Sequence, residues 1–132
     1  MGKNEQLRIV HNRAYSSITA TLTSLKFKDK ETKQYVYYFP SFEVSGYGKT
    51  EDKAKEMCDV QIRDILSHLI KLKPDAARAY LRKYGWIPER FAAKNFSHAY
   101  VDKDGVLQNF NLDPEEVLEE TVKIEEKKLV AA

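Results

Sequence analysis

A single cysteine, five glycines and three scattered histidines leave this 132-residue chain few of the side chains from which reactive sites are built. Cys58 has no partner for an internal disulfide, so nothing points to an oxidising compartment. No apolar run approaches the ~20 residues that a membrane helix requires, so no membrane association is expected. The first residues, MGKNEQLR, lack the apolar stretch of a secretion signal. A cytoplasmic location is the expectation. His11, His68 and His98 are far apart, with no cysteine pair, no HExxH and no Asp-rich calcium loop, so no metal is expected. No serine stands in a G-x-S-x-G elbow, and no pair of carboxylates stands out as an acid and a base. The sequence therefore predicts no catalytic residues, no cofactor and no enzyme.

What the chain does have is a soluble balance, 42% hydrophobic and 32% charged, enough for one domain with one core. The net charge of +2 conceals a polarity. Residues 1–100 carry 18 basic and 11 acidic side chains, and residues 101–132 carry 4 and 9. Solvated surface charge accounts for this, and so would a basic face for an acidic partner.

The apolar pattern sets the order of elements. Ser16 to Phe27 alternates, with Ile18, Ala20 and Leu22 between threonines, which is the two-residue period of a strand. The apolar phase then shifts to Leu25 and Phe27, which predicts a bulge near Ser24. KDKETK reads as a hairpin loop. QYVYYFP reads as a second strand, with Tyr35, Tyr37 and Phe39 on one face and Val36 and Tyr38 on the other. Phe42 to Tyr47 is a short third strand. From Ala54 to Ile70 apolar residues recur at three- and four-residue steps, a helix with Thr50 as its N-cap. Pro74 can open a second helix, with Gly85 just past its end and Trp86 packing onto the domain. Phe96 to Val101 and Val106 to Phe110 flank DKDG as a hairpin. Asp113-Pro114 can start a short helix to about Leu118, and TVKIEE, with Val122 and Ile124 on one side, reads as a last strand. The expected fold is α+β: one domain, an antiparallel β-β-β unit, a long amphipathic helix, then a short helix and further strands.

The sharpest local signal is Gly46-Tyr47-Gly48-Lys49-Thr50. A P-loop would need a glycine at position 43, which is Glu, and a dinucleotide fingerprint a glycine at position 51, which is also Glu. Glu51 and Asp52 in the first helical turn would repel an anion. Gly46, Gly48 and Thr50 are therefore read as a structural strand-to-helix junction and helix cap. Cys58, inside the apolar stripe, is read as a core residue.

Two families show a similar junction. Gly46, Gly48, Thr50, Ala54 and Lys55 resemble the G-x-G-x-S-K-K-x-A-K junction of double-stranded RNA-binding domains. Glu51 and Asp52 stand where that family has its phosphate-binding lysines. The segment from Tyr35 to Leu69 resembles HicB-like proteins, the antitoxins of HicA–HicB pairs and their orphan relatives. It shares the strand ending Phe39-Pro40, then Gly48, Thr50 and Ala54 of a G-[D/E]-T-x-x-E-A entry to the helix. Lys49 and Lys53 replace the acidic residues of that pattern. The likeness is strongest over Ser16 to Leu72, with the rest of the chain as a C-terminal extension. It implies a partial ribonuclease-H-like arrangement and a non-catalytic protein that binds a small HicA-like toxin. The DNA-binding segment of many such proteins is not found: Arg78, Arg82 and Lys83 lie on a helix without a second helix to complete a helix-turn-helix.

The expectation is thus a protein-binding scaffold, with a HicA-like toxin as candidate partner, self-association through edge strands, and Tyr35, Tyr37 and Tyr38 as candidate contact residues. Nucleic acid remains the alternative partner, on a double-stranded-RNA-binding-like module whose phosphate contacts would be Lys26, Lys28, Lys30 and Lys33.

Overall fold

The computed structural model describes residues 5–89, 92–98, 107 and 109–129. Its strands are β1 (Glu5–His11), β2 (Tyr15–Lys28), β3 (Tyr35–Phe39), β4 (Val44–Gly48), β5 (Ile87–Glu89), β6 (Ala92–His98) and β7 (Leu118–Leu129). Between β4 and β5 lie α1 (Glu51–Lys71) and α2 (Pro74–Lys83). Short 3-10 turns occupy Pro40–Phe42 and Pro114–Glu116. The chain is α+β, a single antiparallel sheet with α1 on one face. Among the described residues no helix is long and apolar enough to cross a membrane.

β2 is the spine of the sheet. Along one edge its residues 15–26 pair with the whole of β7, from Tyr15 opposite Leu129 to Lys26 opposite Leu118. Its other edge is shared. β1 pairs with residues 16–21 of β2, and β3 pairs with residues 25–28. From β3 the sheet continues to β4, and from β1 to β6 and β5.

Between the ends of β1 and β3, on this edge of β2, residues 22–24 have no described strand beside them, and a buried carboxylate fills the gap. Glu5 Oε2 accepts from the Thr23 amide at 2.9 Å and from the Ser41 hydroxyl at 2.8 Å. The Ser41 carbonyl in turn accepts from Trp86 Nε1 at 3.2 Å. Trp86 is buried and packs against the Phe42 ring. An unsatisfied amide in this position would carry a desolvation penalty, which the carboxylate removes.

α1 covers the face of the sheet presented by Ile18, Ala20, Leu22, Tyr37, Phe39, Val44 and Ile124. Its buried side is Ala54, Cys58, Ile62, Leu66, Leu69 and Ile70. Thr50 caps it as expected, its hydroxyl accepting from the Lys53 amide at 3.2 Å. Lys73 is extended, and Pro74 then opens α2 at a position where its missing amide costs nothing. α2 ends in a Schellman arrangement. The Trp86 amide donates to Leu81 O and the Gly85 amide to Arg82 O, with Gly85 at φ 88°.

Three expectations need correction. The bulge near Ser24 does not form, because the β2–β7 register runs unbroken through Ser24 opposite Glu120. The apolar phase shifts because the covered face changes. Leu25 and Phe27 point away from α1 into a second cluster with Leu112 and Val117. The expected hairpin around DKDG also fails at its second arm, where Leu107 and Asn109 are helical and the Leu112 amide donates to Leu107 O. The DKDG turn itself lies outside the described residues. The third strand starts at Val44 rather than Phe42, since Glu43 takes a left-handed φ of 53° after the 3-10 turn. Two strands were not anticipated: the short β5, and β1, in which Leu7 and Ile9 face the core in alternation with Gln6 and Arg8.

Candidate functional site

On the face of the sheet turned away from α1, two regions differ in character. Across β1, β2, β6 and β7 the face is polar, with Gln6, Arg8, Thr19, Thr21, Asn95 and Lys123 around a shallow depression. Across β2, β3 and β4 it is apolar. Leu25, Phe27, Val36, Tyr38 and Tyr47 floor an open trough of about 690 Å³, closed at one end by Phe110 and edged by the β2–β3 hairpin.

The register explains the trough. Leu25 faces Tyr38 and Phe27 faces Val36 across β2–β3, while Val36 faces Tyr47 across β3–β4. Residues directly opposite in antiparallel strands share a face, so these side chains form one continuous surface. Phe110 folds over the far side with its ring 4.8 Å from that of Phe27. Tyr47 is 53% exposed and Phe110 38% exposed. The charged residues in the lining are Asp29 and Glu43, both acidic. Asp29 is held by the hairpin, accepting from the Thr32 hydroxyl at 2.8 Å and the Glu31 amide at 3.1 Å. Burial and, after it, the negative charge of Glu43 push the Tyr38 phenol above its ordinary range, so it remains a neutral donor.

The three tyrosines singled out in the sequence are separated by the fold. Tyr38 lines the trough. Tyr37 is 7% exposed and lies in the core beneath α1, so it packs rather than presents. Tyr35 is half-buried on that same inner face, with Lys28 Nζ 5.3 Å from its ring centre. Trough residues that sequence reasoning missed are Tyr47 and Phe110. The alternation that placed Tyr38 opposite Tyr37 could have found Tyr47, but Phe110 arrives from far along the chain.

Gly46 and Gly48 lie within β4 and not in a turn, and neither has a positive φ. What Gly46 provides is the absence of a Cβ. A methyl there would sit 2.4 Å from Ala54 O and 2.4 Å from the Cys58 amide nitrogen. The first turns of α1 therefore rest directly on the β4 backbone, and Gln61 Nε2 donates to Ser45 O at 2.7 Å. Cys58 is buried, and burial, followed by the charge of Asp59, pushes its thiol up to about 12. It behaves as a small apolar residue.

The lysines of the first hairpin are partly committed. Lys26 Nζ lies 3.4 Å from Glu51 and 3.9 Å from Glu120. Desolvation lowers its pKa, but its hydrogen bond and charge pairing with Glu51 more than offset this, so the net shift is upward. Lys30 Nζ donates to Asn111 O and pairs with Glu116. Lys28 and Lys33 are exposed. His11 bonds the Ser16 hydroxyl, and the His68 ring sits edge-on to Tyr80. Among the described residues no group of three His, Cys, Asp or Glu is placed to hold a metal ion. An apolar, aromatic-walled trough with acidic edges can bind, by burying apolar surface and by attracting positive charge. The chain matches no protein-family model, and comparison with curated proteins and with solved structures gave no match.

Proposed function

We propose that this chain is a non-catalytic, partner-binding scaffold of HicB-like kind, an antitoxin or an orphan relative, and that the outer trough receives the partner. One observation carries the reading: about 690 Å³ of open trough on a sheet face, with exposed Tyr47 and Phe110 and only acidic charges in its lining. An apolar surface of this kind on a small domain marks an interaction site. Its charge favours a small basic protein presenting an apolar segment, which is the chemistry of a HicA-like toxin. Amphipathic Tyr38 and Tyr47 supply the aromatic contact area that interfaces favour.

The test is capture of partners from native extract by the tagged full chain, with and without ribonuclease. The same capture is run with Tyr47→Arg, which charges the trough at an exposed position, and with Val60→Arg on the exposed side of α1 as control. A small basic protein retained after ribonuclease, lost with Tyr47→Arg and kept with Val60→Arg, is the expected result. Retention of RNA without protein refutes it and favours the RNA-binding module. That alternative has Lys28 and Lys33 available as phosphate contacts, and its binding would fall steeply with salt.

A further inference from the structure

β7 is a twelve-residue strand bonded along one edge to β2, and no other described strand pairs with its outer edge. The direction of its backbone groups follows from β2. The Thr23 amide points to the β1–β3 side, where it meets Glu5. Odd-numbered residues of β2 thus turn their amides and carbonyls to that side, and even-numbered ones turn theirs to β7. Ser24 faces Glu120, so even-numbered residues of β7 bond to β2. Thr121, Lys123, Glu125 and Lys127 therefore turn their backbone groups outward. The Glu125 carbonyl accepts from Arg63 Nη1 at 3.3 Å, as an outward carbonyl can, and it keeps a second lone pair.

A long edge of this kind recruits another strand unless its charges forbid it. The charges on β7 alternate in blocks along LEETVKIEEKKL: Glu119 and Glu120, then Lys123, then Glu125 and Glu126, then Lys127 and Lys128. A second copy related by a two-fold axis perpendicular to the sheet must pair antiparallel. Directly opposite residues must also share a face, so the axis passes through a residue position and not between two. With the axis at Ile124, Lys123 faces Glu125 of the second copy, Glu120 faces Lys128, and Thr121 faces Lys127. Each pairing occurs twice, and no like charges meet. The pairs 123–125 and 121–127 are then the hydrogen-bonded ones, formed by the residues whose backbone groups point outward. Moving the axis to Lys123 sets Lys123 against itself and Glu120 against Glu126. Moving it to Glu125 sets Glu125 against itself and Lys123 against Lys127. Like charges directly opposite destabilise a strand pair.

We propose that β7 is the seam of a symmetric homodimer, paired antiparallel about Ile124, so that one continuous sheet runs through both copies. The seam lies on a different part of the sheet from the trough, and this inference does not rest on the function proposed above.

The test is the mass of the full chain in solution, by sedimentation equilibrium from micromolar to hundreds of micromolar concentration. Dimers of the 15.3 kDa chain are expected at the upper end. Lys123→Glu and Glu125→Lys each place like charges opposite one another twice. Each is expected to weaken the dimer about tenfold or more. Both side chains are exposed, so the variants should fold, which circular dichroism checks. The double exchange, Lys123→Glu with Glu125→Lys, is expected to restore dimerisation. A second variant, Thr121→Cys with Lys127→Cys, should form an intermolecular disulfide under mild oxidation, because the two positions are too far apart along one strand to bond within a chain. A single-chain mass at every concentration overturns the proposal. So does a dimer indifferent to both single exchanges, or a double exchange that rescues nothing.

Discussion

Gly46→Ala is expected to destabilise the protein, although replacing glycine in a strand ordinarily helps. On backbone entropy alone, alanine at a compatible position gains about 0.4–1 kcal/mol, and Gly46 has no positive φ to forbid it. The opposing effect is steric. The new methyl would lie 2.4 Å from both Ala54 O and Cys58 N and 2.9 Å from Cys58 Cβ, whereas real Cβ atoms do not approach closer than 3.0 Å. Two of the three obstacles are helix backbone, so no side-chain rotation relieves them. α1 must lift from β4, and lifting it opens the packing of Cys58 and Ile62 and stretches the Gln61–Ser45 bond. Overpacking of this kind costs about 1–3 kcal/mol, here at the upper end because backbone must move. After the entropic gain, a net loss of about 2 kcal/mol remains. Urea unfolding with fluorescence of Trp86 should show a lower midpoint at unchanged slope, and the melting temperature should fall by about 5–10 °C. An unchanged or raised midpoint would show that Gly46 serves the chain's flexibility and that α1 does not rest on the β4 backbone.

Glu5→Ala should cost about 3 kcal/mol, since it strands the buried Thr23 amide and Ser41 hydroxyl together. Glu5→Gln, which keeps an acceptor in place, should cost clearly less; equal urea midpoints for the two variants would refute the account of the gap in the sheet. Cys58 should resist thiol reagents at mildly alkaline pH in the native protein and react fully in urea, because its thiol is held up to about 12. The linkage has a definite sign. The native state keeps a proton that the unfolded state releases above the ordinary value of 9.0. The contribution is therefore full below pH 9 and declines between pH 9 and 12, by up to about 1.4 kcal/mol per pH unit. Comparison with Cys58→Ala isolates it, and identical alkaline slopes in the two proteins would count against it.

Much of the fold was legible because it is local. The bounds of α1 follow from Thr50 and from apolar steps of three and four, and the end of α2 from Gly85 followed by Trp86. Strands β2, β3 and β7 follow from two-residue alternation, as does the opposition of Tyr37 and Tyr38. β1 carries the same signal in Leu7 and Ile9, but two alternating apolar residues in a seven-residue stretch gave no reason to prefer strand over loop. The trough was less legible. Val36, Tyr38 and Tyr47 could be placed on one face, but which face stays open is a property of where α1 lands.

By itself the sequence determined the identity and order of the main elements and the absence of a recognisable catalytic or phosphate-binding motif. Only the tertiary structure decided that β2 runs straight while its cover changes sides. A shift of apolar phase reports a change of the buried face, and a bulge and a second cluster produce the same pattern. Only the tertiary structure gave Gly46 its purpose, which is contact with a helix rather than a turn. It alone brought Glu5, Thr23, Ser41 and Trp86 into one hydrogen-bonded group from four separate segments. Periodicity encodes how neighbours along the chain share a face. Which faces meet is settled by packing between distant segments, and the spacing within any one of them does not record it.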